Sequence, residues 1–283
     1  MKTIKEIHSA NYQPIADLIT YNPLPSSKLR QIDPFIFLNH HGHQTYPKNN
    51  NGLPFGPHPH RGMETVTFIV EGDIMHKDSG GHESVINTGG IQWMTAGSGL
   101  IHAEVSSDKF KKEGGNLEIL QLWLNLPAKL KMTKPRYIGL QKEEIKEFEL
   151  DGGKGTVQLI AGEWNDHKGS FETLWPIFLS TLHLDAGAKV IKDIPQAENI
   201  FFYIVRGKVK IQGEHIPFRK LVEFNNDGTS LAFEATENAI VILGHAKPFN
   251  EPMVAQGPFV MNTNQEIMQA YQDYQDGKFG TWE

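Results

Sequence analysis

Apolar residues along the chain fall into short runs separated by glycine- and aspartate-rich punctuation, a pattern of strands rather than helices. Thr65–Val70 (TVTFIV), Leu117–Leu124 (LEILQLWL), Ile177–Leu184 (IFLSTLHL), Asn199–Val205 (NIFFYIV) and Ala239–Leu243 (AIVIL) each predict a strand. GGH, NTGG, DGGKG and NNDG segments predict the turns. Short strands at regular spacing point to a sandwich or barrel. One segment carries the helical period instead. In Thr263–Gln275, Thr263 can cap with Glu266 three residues on, and Ile267, Ala270, Tyr271 and Tyr274 form one apolar stripe that needs a surface to cover, expected to tie two barrels together. Gly277 follows as a stop signal. Lys142–Glu149 (KEEIKEFE) reads as a charged, solvated connector between two halves.

The halves repeat. Gly52-x5-His58-Pro59-His60, followed by Phe68-Ile69-Val70-Glu71-Gly72, reappears 135 residues on as Gly187-x5-Asp193-Ile194-Pro195 followed by Tyr203-Ile204-Val205-Arg206-Gly207. The glycines and the strand end keep register, while the two histidines become Asp193 and Pro195. This predicts an all-β chain of two copies of one barrel, only the first of which kept its histidines. The expected domains are residues 1–141 and 142–283, the second including the helix 263–275.

Composition narrows the chemistry. The chain has 283 residues, 39% hydrophobic and 21% charged, which suits two packed domains rather than a disordered or fibrous chain. Lys+Arg total 27 against Asp+Glu 33, a net charge of −6 that disfavours direct nucleic-acid binding. No apolar stretch approaches the roughly 20 residues of a membrane span. The basic start, MKTIKEIHSANYQP, lacks an apolar core for secretion, so a cytoplasmic location is expected. With no cysteine, any metal must be held by His, Asp or Glu, and the 13 histidines become the residues to follow.

In a strand, residues i and i+2 share a face, so His58 and His60 project together. Imidazole suits Fe, Cu, Ni and Zn alike. The surrounding pattern resembles the first cupin motif, G-x5-HxH-x3,4-E-x6-G. The expected glutamate is displaced, however. Counted back from Gly72 its position falls on Thr65, which leaves Glu64 on the opposite face and away from the cavity. Gly97-Ser98-Gly99-Leu100-Ile101-His102 resembles the second cupin motif, and Glu104 follows on the same face as His102. Two i,i+2 pairs can thus converge in one antiparallel sheet.

The run from Pro57 to Glu104, together with DPFIFLNHHG (Asp33–Gly42), LQLWLNLP (Leu120–Pro127) and GPFVMNTNQEI (Gly257–Ile267), is similar to the marker segments of the pirin family. The resemblance implies a bicupin with one metal in the N-terminal barrel. It also implies His58, His60, His102 and Glu104 as ligands and iron, Fe(II), as the ion, with zinc, nickel, manganese and copper left open. The family includes quercetin 2,3-dioxygenases and a nuclear transcription cofactor. Two functions follow as expectations. One is a dioxygenase that opens the central ring of flavonols with O2, Glu104 accepting the proton of the 3-hydroxyl and so acting as the catalytic residue. The other is an iron-dependent regulatory protein that docks a transcription factor or metabolic enzyme. A monomer without membrane attachment is expected in either case. One departure stands out: Asn39-His40-His41-Gly42 replaces the family's Asp-His-Phe-Gly.

The other histidines read as ordinary. His40, His41 and His43 fit a Gly-bearing surface loop or pocket rim, and His76 and His82 an exposed hairpin beside Gly80–Gly81. His183, His215 and His245 lack an HxH partner and read as structural. Gln121 and Trp123 alternate with leucines and face a barrel interior, where Gln121 can hydrogen-bond a ligand from behind. Gly97 and Gly99 serve a turn rather than a phosphate, since no GxxxxGK[ST] loop exists in the chain.

Overall fold

The computed structural model describes residues 1–282. The described chain forms two compact units, each a seven-stranded sheet together with a four-stranded one. In the first, the smaller sheet runs Phe55–His60, Leu100–Val105, Asp73–Asp78, Glu83–Asn87 in spatial order. The larger runs Arg136–Leu140, Ile91–Thr95, Met63–Glu71, Gly115–Asn125, Phe35–Tyr46, Thr20–Leu24, Asn11–Tyr12. The second unit repeats this plan. Lys189–Asp193, Ser230–Ala235, Lys208–Ile211 and Glu214–Pro217 make its smaller sheet. At the centre of its larger sheet, Lys220–Phe224, Asn199–Arg206, Ala239–Ala246 and Phe178–Leu184 lie side by side. All five predicted strands are present, and the repeat is real. Gly52, Gly187, Gly72 and Gly207 all have positive φ, at 69°, 84°, 91° and 75°, which explains why glycine recurs at that offset.

The division differs from 1–141 and 142–283 at the ends of the chain. Met1–Asn11 and Pro23–Pro34 join Glu144–Pro248, while Phe249 onward joins the first barrel. Ile4–Ser9 fills the edge of the second barrel's large sheet, pairing Ile7 with Val222. Residues from Phe249 fold back on the first barrel instead. Arg61 bridges to Phe259, and Val260 N–H donates to the Arg61 carbonyl at 3.0 Å. The helix Asn264–Gln275 starts with the predicted capping box between Thr263 and Glu266. Its buried Ile267 and Ala270 pack with Phe259, Met261 and Phe279, whereas Tyr274 of the expected stripe is exposed. Arg61 Nη1 reaches Asp273 Oδ2 on this helix at 2.8 Å. The helix therefore belongs to the first barrel, not the second.

Two further local readings need correction. Lys142–Glu149 is no free connector: it forms a 3-10 turn, Lys142–Glu144, and then the edge strand Lys146–Glu149. His40, His41 and His43 lie in the strand Phe35–Tyr46 rather than in a loop. His40 Nε2 is 2.9 Å from Glu118 Oε1, and His41 Nδ1 is 2.9 Å from Thr20 Oγ1, both buried. Only His43 reaches the surface, beside Glu71. No helix of the described residues is long and apolar enough to cross a membrane.

Candidate metal centre

The first barrel's smaller sheet builds the centre by strand register. Phe55–His60 and Leu100–Val105 run antiparallel with His58 opposite His102 and His60 opposite Leu100. Pleating turns all three imidazoles to one face. Their ring centroids are 4.4 to 5.0 Å apart, and one nitrogen from each lies within 4.8 Å of the others. His58 Nδ1 is 2.7 Å from the Gly56 carbonyl and His60 Nδ1 is 3.0 Å from that of Pro258. Each Nδ1 then carries the proton, which leaves the Nε2 lone pair free for a ligand bond. Nε2 of His60 and both ring nitrogens of His102 are buried without a hydrogen-bond partner. Buried polar atoms are rarely left so. A cation among the three rings is the simplest partner, so the donor set fits a metal.

Electrostatics favours neutral rings. Burial, reinforced by neighbouring His58, pushes His60 down to about 3, against a partial offset from the Pro258 carbonyl. Burial also holds His102 well below the usual histidine range, with His60, His58 and His76 adding to it. Neutral imidazoles are the form a metal binds.

Glu104 faces the same cavity but stands outside that group of three. It lies opposite His76 in register. Its Oε1 accepts from Thr67 Oγ1 at 3.1 Å and from Gln92 Nε2, and its Oε2 accepts from Gln121 Nε2. Thr67, Gln92 and Gln121 form one row across three strands of the larger sheet. Gln121 also accepts from Trp123 Nε1 at 3.0 Å, and the Trp123 ring stands edge-on 5.1 Å from His60. Because Thr67 points inward, Thr65 does too and Glu64 points the other way. Glu64 accepts instead from Thr95 Oγ1 at 2.7 Å.

His76 is the residue most clearly misjudged. It is fully buried rather than on an exposed hairpin; its Nε2 is 3.0 Å from Asp78 Oδ2 and its ring stacks on Tyr137 at 3.9 Å. Ile74, His76 and Asp78 are buried while Met75 and Lys77 are less so, an alternation that could have revealed it. Tyr137 was missed as well. Its hydroxyl sits 2.6 Å from Ser84 Oγ and donates to Gln92 Oε1 at 3.2 Å, extending the network behind Glu104. Burial pushes the Tyr137 hydroxyl up to about 12, so it remains a donor.

The second barrel lacks this lining. At the positions of Thr67, Gln92 and Gln121 its register places Phe202, Val222 and Leu243, which belong to its apolar core. Gly97 and Gly99 are required by the turn before His102: a Cβ on Gly97, at φ +51°, would meet the Thr133 carbonyl at 2.1 Å.

Two cupin barrels, one polar with three convergent imidazoles and one apolar, define a bicupin with a candidate metal cavity in its first barrel. The chain belongs to the pirin family: the Pirin family model matches residues 17–124 and the Pirin C-terminal cupin domain matches residues 179–280. It is 38% identical over 257 residues to a pirin-like protein of Solanum lycopersicum, covering 89% of this chain and 84% of that one. It is 36% identical over 261 residues to the pirin of Homo sapiens, covering 89% and 85%. The crystal structure of a quercetin 2,3-dioxygenase from Acinetobacter baumannii superposes with a TM-score of 0.91 at 33% identity, covering 99% of both chains.

Proposed function

We propose that this protein is a quercetin 2,3-dioxygenase-type enzyme that holds one divalent metal, Fe(II), through His58, His60, His102 and Glu104. The observation that carries this reading is the pair of unpartnered buried Nε2 atoms, on His60 and His102, beside a buried carboxylate. Binding a metal there supplies the Lewis acidity and redox chemistry with O2 that no side chain in the cavity provides.

The chain's own residues do the rest. The Gly56 and Pro258 carbonyls hold His58 and His60 in one tautomer, so the rings need no reorganisation on loading. Glu104 takes the proton from a flavonol 3-hydroxyl, and the Gln92 and Gln121 amides keep its carboxylate in place as it does so. Trp123, stacked on Phe37 at 4.5 Å, offers an aromatic wall for the flavonol rings. The products are an opened aryl ester and carbon monoxide, which together account for every atom of substrate and O2.

The test is anaerobic reconstitution with Fe(II), followed by O2 uptake and carbon monoxide release with quercetin. One metal per chain and stoichiometric uptake are expected, and His102→Ala should lose both. Protein loaded with one iron per chain yet inert toward flavonols would overturn the reading, as would undiminished turnover by His102→Ala.

A further inference from the structure

The second barrel also has a buried histidine with one unpartnered ring nitrogen. His245 lies opposite Phe178 and Ile200 in register, the place that Trp123 takes between Phe37 and Thr65 in the first barrel. Even the stacking is kept, with His245 on Phe178 at 4.5 Å and 12°. The His245 side chain is only 10% exposed, and its Nδ1 lies 2.5 Å from Glu198 Oε2. Nε2 is buried and has no hydrogen-bond partner among the described residues. Lys2 steadies the turn that carries Glu198, its Nζ donating to the backbone carbonyls of Gln196 and Glu198 at 2.9 and 3.2 Å. A cavity of about 500 Å³ opens beside His245, with Phe171, Ile177 and Phe178 on its apolar wall. That volume lies within the range of small-molecule sites.

We propose that this cavity is a second ligand site, for a small planar molecule bearing an aromatic hydroxyl that donates to His245 Nε2. The chemistry follows from the dyad. With Nδ1–H given to Glu198, Nε2 can only accept, and an unpaired buried acceptor costs about 1–3 kcal/mol until a donor arrives. The wall of Phe171, Ile177 and Phe178 selects an apolar, flat body. An anionic ligand is disfavoured, because Glu163, Glu172 and Glu198 line the cavity against Lys168 alone. A metal is disfavoured too: His245 belongs to no cluster of three metal-binding side chains among the described residues. An aromatic hydroxyl suits the site better than an aliphatic one. It is the stronger hydrogen-bond donor, and Nε2 accepts from it while the ligand stays neutral beside Glu163, Glu172 and Glu198. The site lies in the other unit from the metal centre and does not rest on the flavonol reading.

The test titrates the full chain, stripped of metal by chelator, with 4-nitrophenol at mildly acidic pH, where the probe is neutral and its phenolate band reports any ionisation. Saturable one-to-one binding without a gain of phenolate absorbance is expected. His245→Phe, which keeps the stack on Phe178, should weaken binding at least about tenfold, the loss of one buried hydrogen bond. Glu198→Gln, nearly isosteric, no longer fixes the Nδ1–H tautomer with a carboxylate and should also weaken binding; it serves as the second variant should His245→Phe fail to fold. His102→Ala should bind as the parent does. Absence of saturable binding would overturn the proposal. So would unchanged affinity in folded His245→Phe or in Glu198→Gln, or loss of binding in His102→Ala.

Discussion

Lys131 offers the sharpest test of how the first barrel is held together, because two opposed effects of known sign meet there. It is 1% exposed and has no carboxylate bonded to it. Its Nζ donates to Asn125 Oδ1 at 2.7 Å and to the carbonyls of Gly62 and Val260, both at 2.9 Å. The clamp thus joins the loop after His60 to the strand Phe259–Met261. Burial lowers the lysine from 10.5 to about 8, against weaker support from Glu251 and Glu266. Keeping it charged at neutral pH therefore costs about 3 kcal/mol. Three hydrogen bonds from a charged donor return about 4.5–9 kcal/mol, so the bonds win. Lys131→Met, which preserves length and apolar volume, should destabilise the first unit by about 3 kcal/mol net, or about 6–12 °C in its melting transition. The pH dependence identifies the cause. The folded pKa lies below the unfolded value, so between pH 8 and 10.5 the unfolded chain holds the extra proton and this group's contribution rises with pH. Calorimetry at pH 7.5 and 10 should show the gap between parent and Lys131→Met widening. A variant as stable as its parent at neutral pH, or a gap that narrows on alkalinisation, would refute the reasoning.

Glu104→Gln should lower metal retention or flavonol turnover at least about tenfold, since the amides of Gln92 and Gln121 then face another amide, whereas Glu64→Gln should spare both and shift only the melting temperature. The opposite outcome, measured by metal analysis and O2 uptake on folded proteins, would redraw the ligand set. Metal-free protein should lose stability as pH falls below about 6.5, by about 1 kcal/mol per pH unit for each neutral ring, because burial holds both His41 and His60 near 3 when folded. Urea denaturation at pH 7.5 and 5 tests this, and equal stability at the two would count against it. Gly97→Ala should destabilise the turn before His102 and weaken metal retention, as a Cβ there meets the Thr133 carbonyl; an unchanged melting curve and metal content would contradict that.

What could be read from sequence follows what is local. Strand periodicity, the capping box and the HxH pair each depend on residues within one turn or pleat, and each is present in the structure. The repeat located the barrel with the histidines because glycines with positive φ tolerate little substitution. Gly42 misled for the same reason. It looked like a loop residue, yet it marks a register shift inside a long strand, where a Cβ would meet the Leu117 carbonyl at 2.3 Å. His76 was hidden by its glycine-rich neighbourhood, although its own strand alternates. The hydrogen bonds to Glu104 come from strands far apart in sequence, so only register reveals Gln92 and Thr67. No local signal says which barrel the first strand or the last helix joins.

That exchange of chain ends has a consequence for biosynthesis. His60 leans on the Pro258 carbonyl, 198 residues later, and the second barrel's sheet takes Ile4–Ser9 beside Lys220–Phe224. Each barrel's contacts are complete only after its distant segment is made, and contacts of such high sequence separation form slowly. The His60 brace in particular cannot form before Pro258 has emerged. A metal held by these histidines, as proposed, would find His60 braced only after the final segment has been translated, not when the histidines themselves are made.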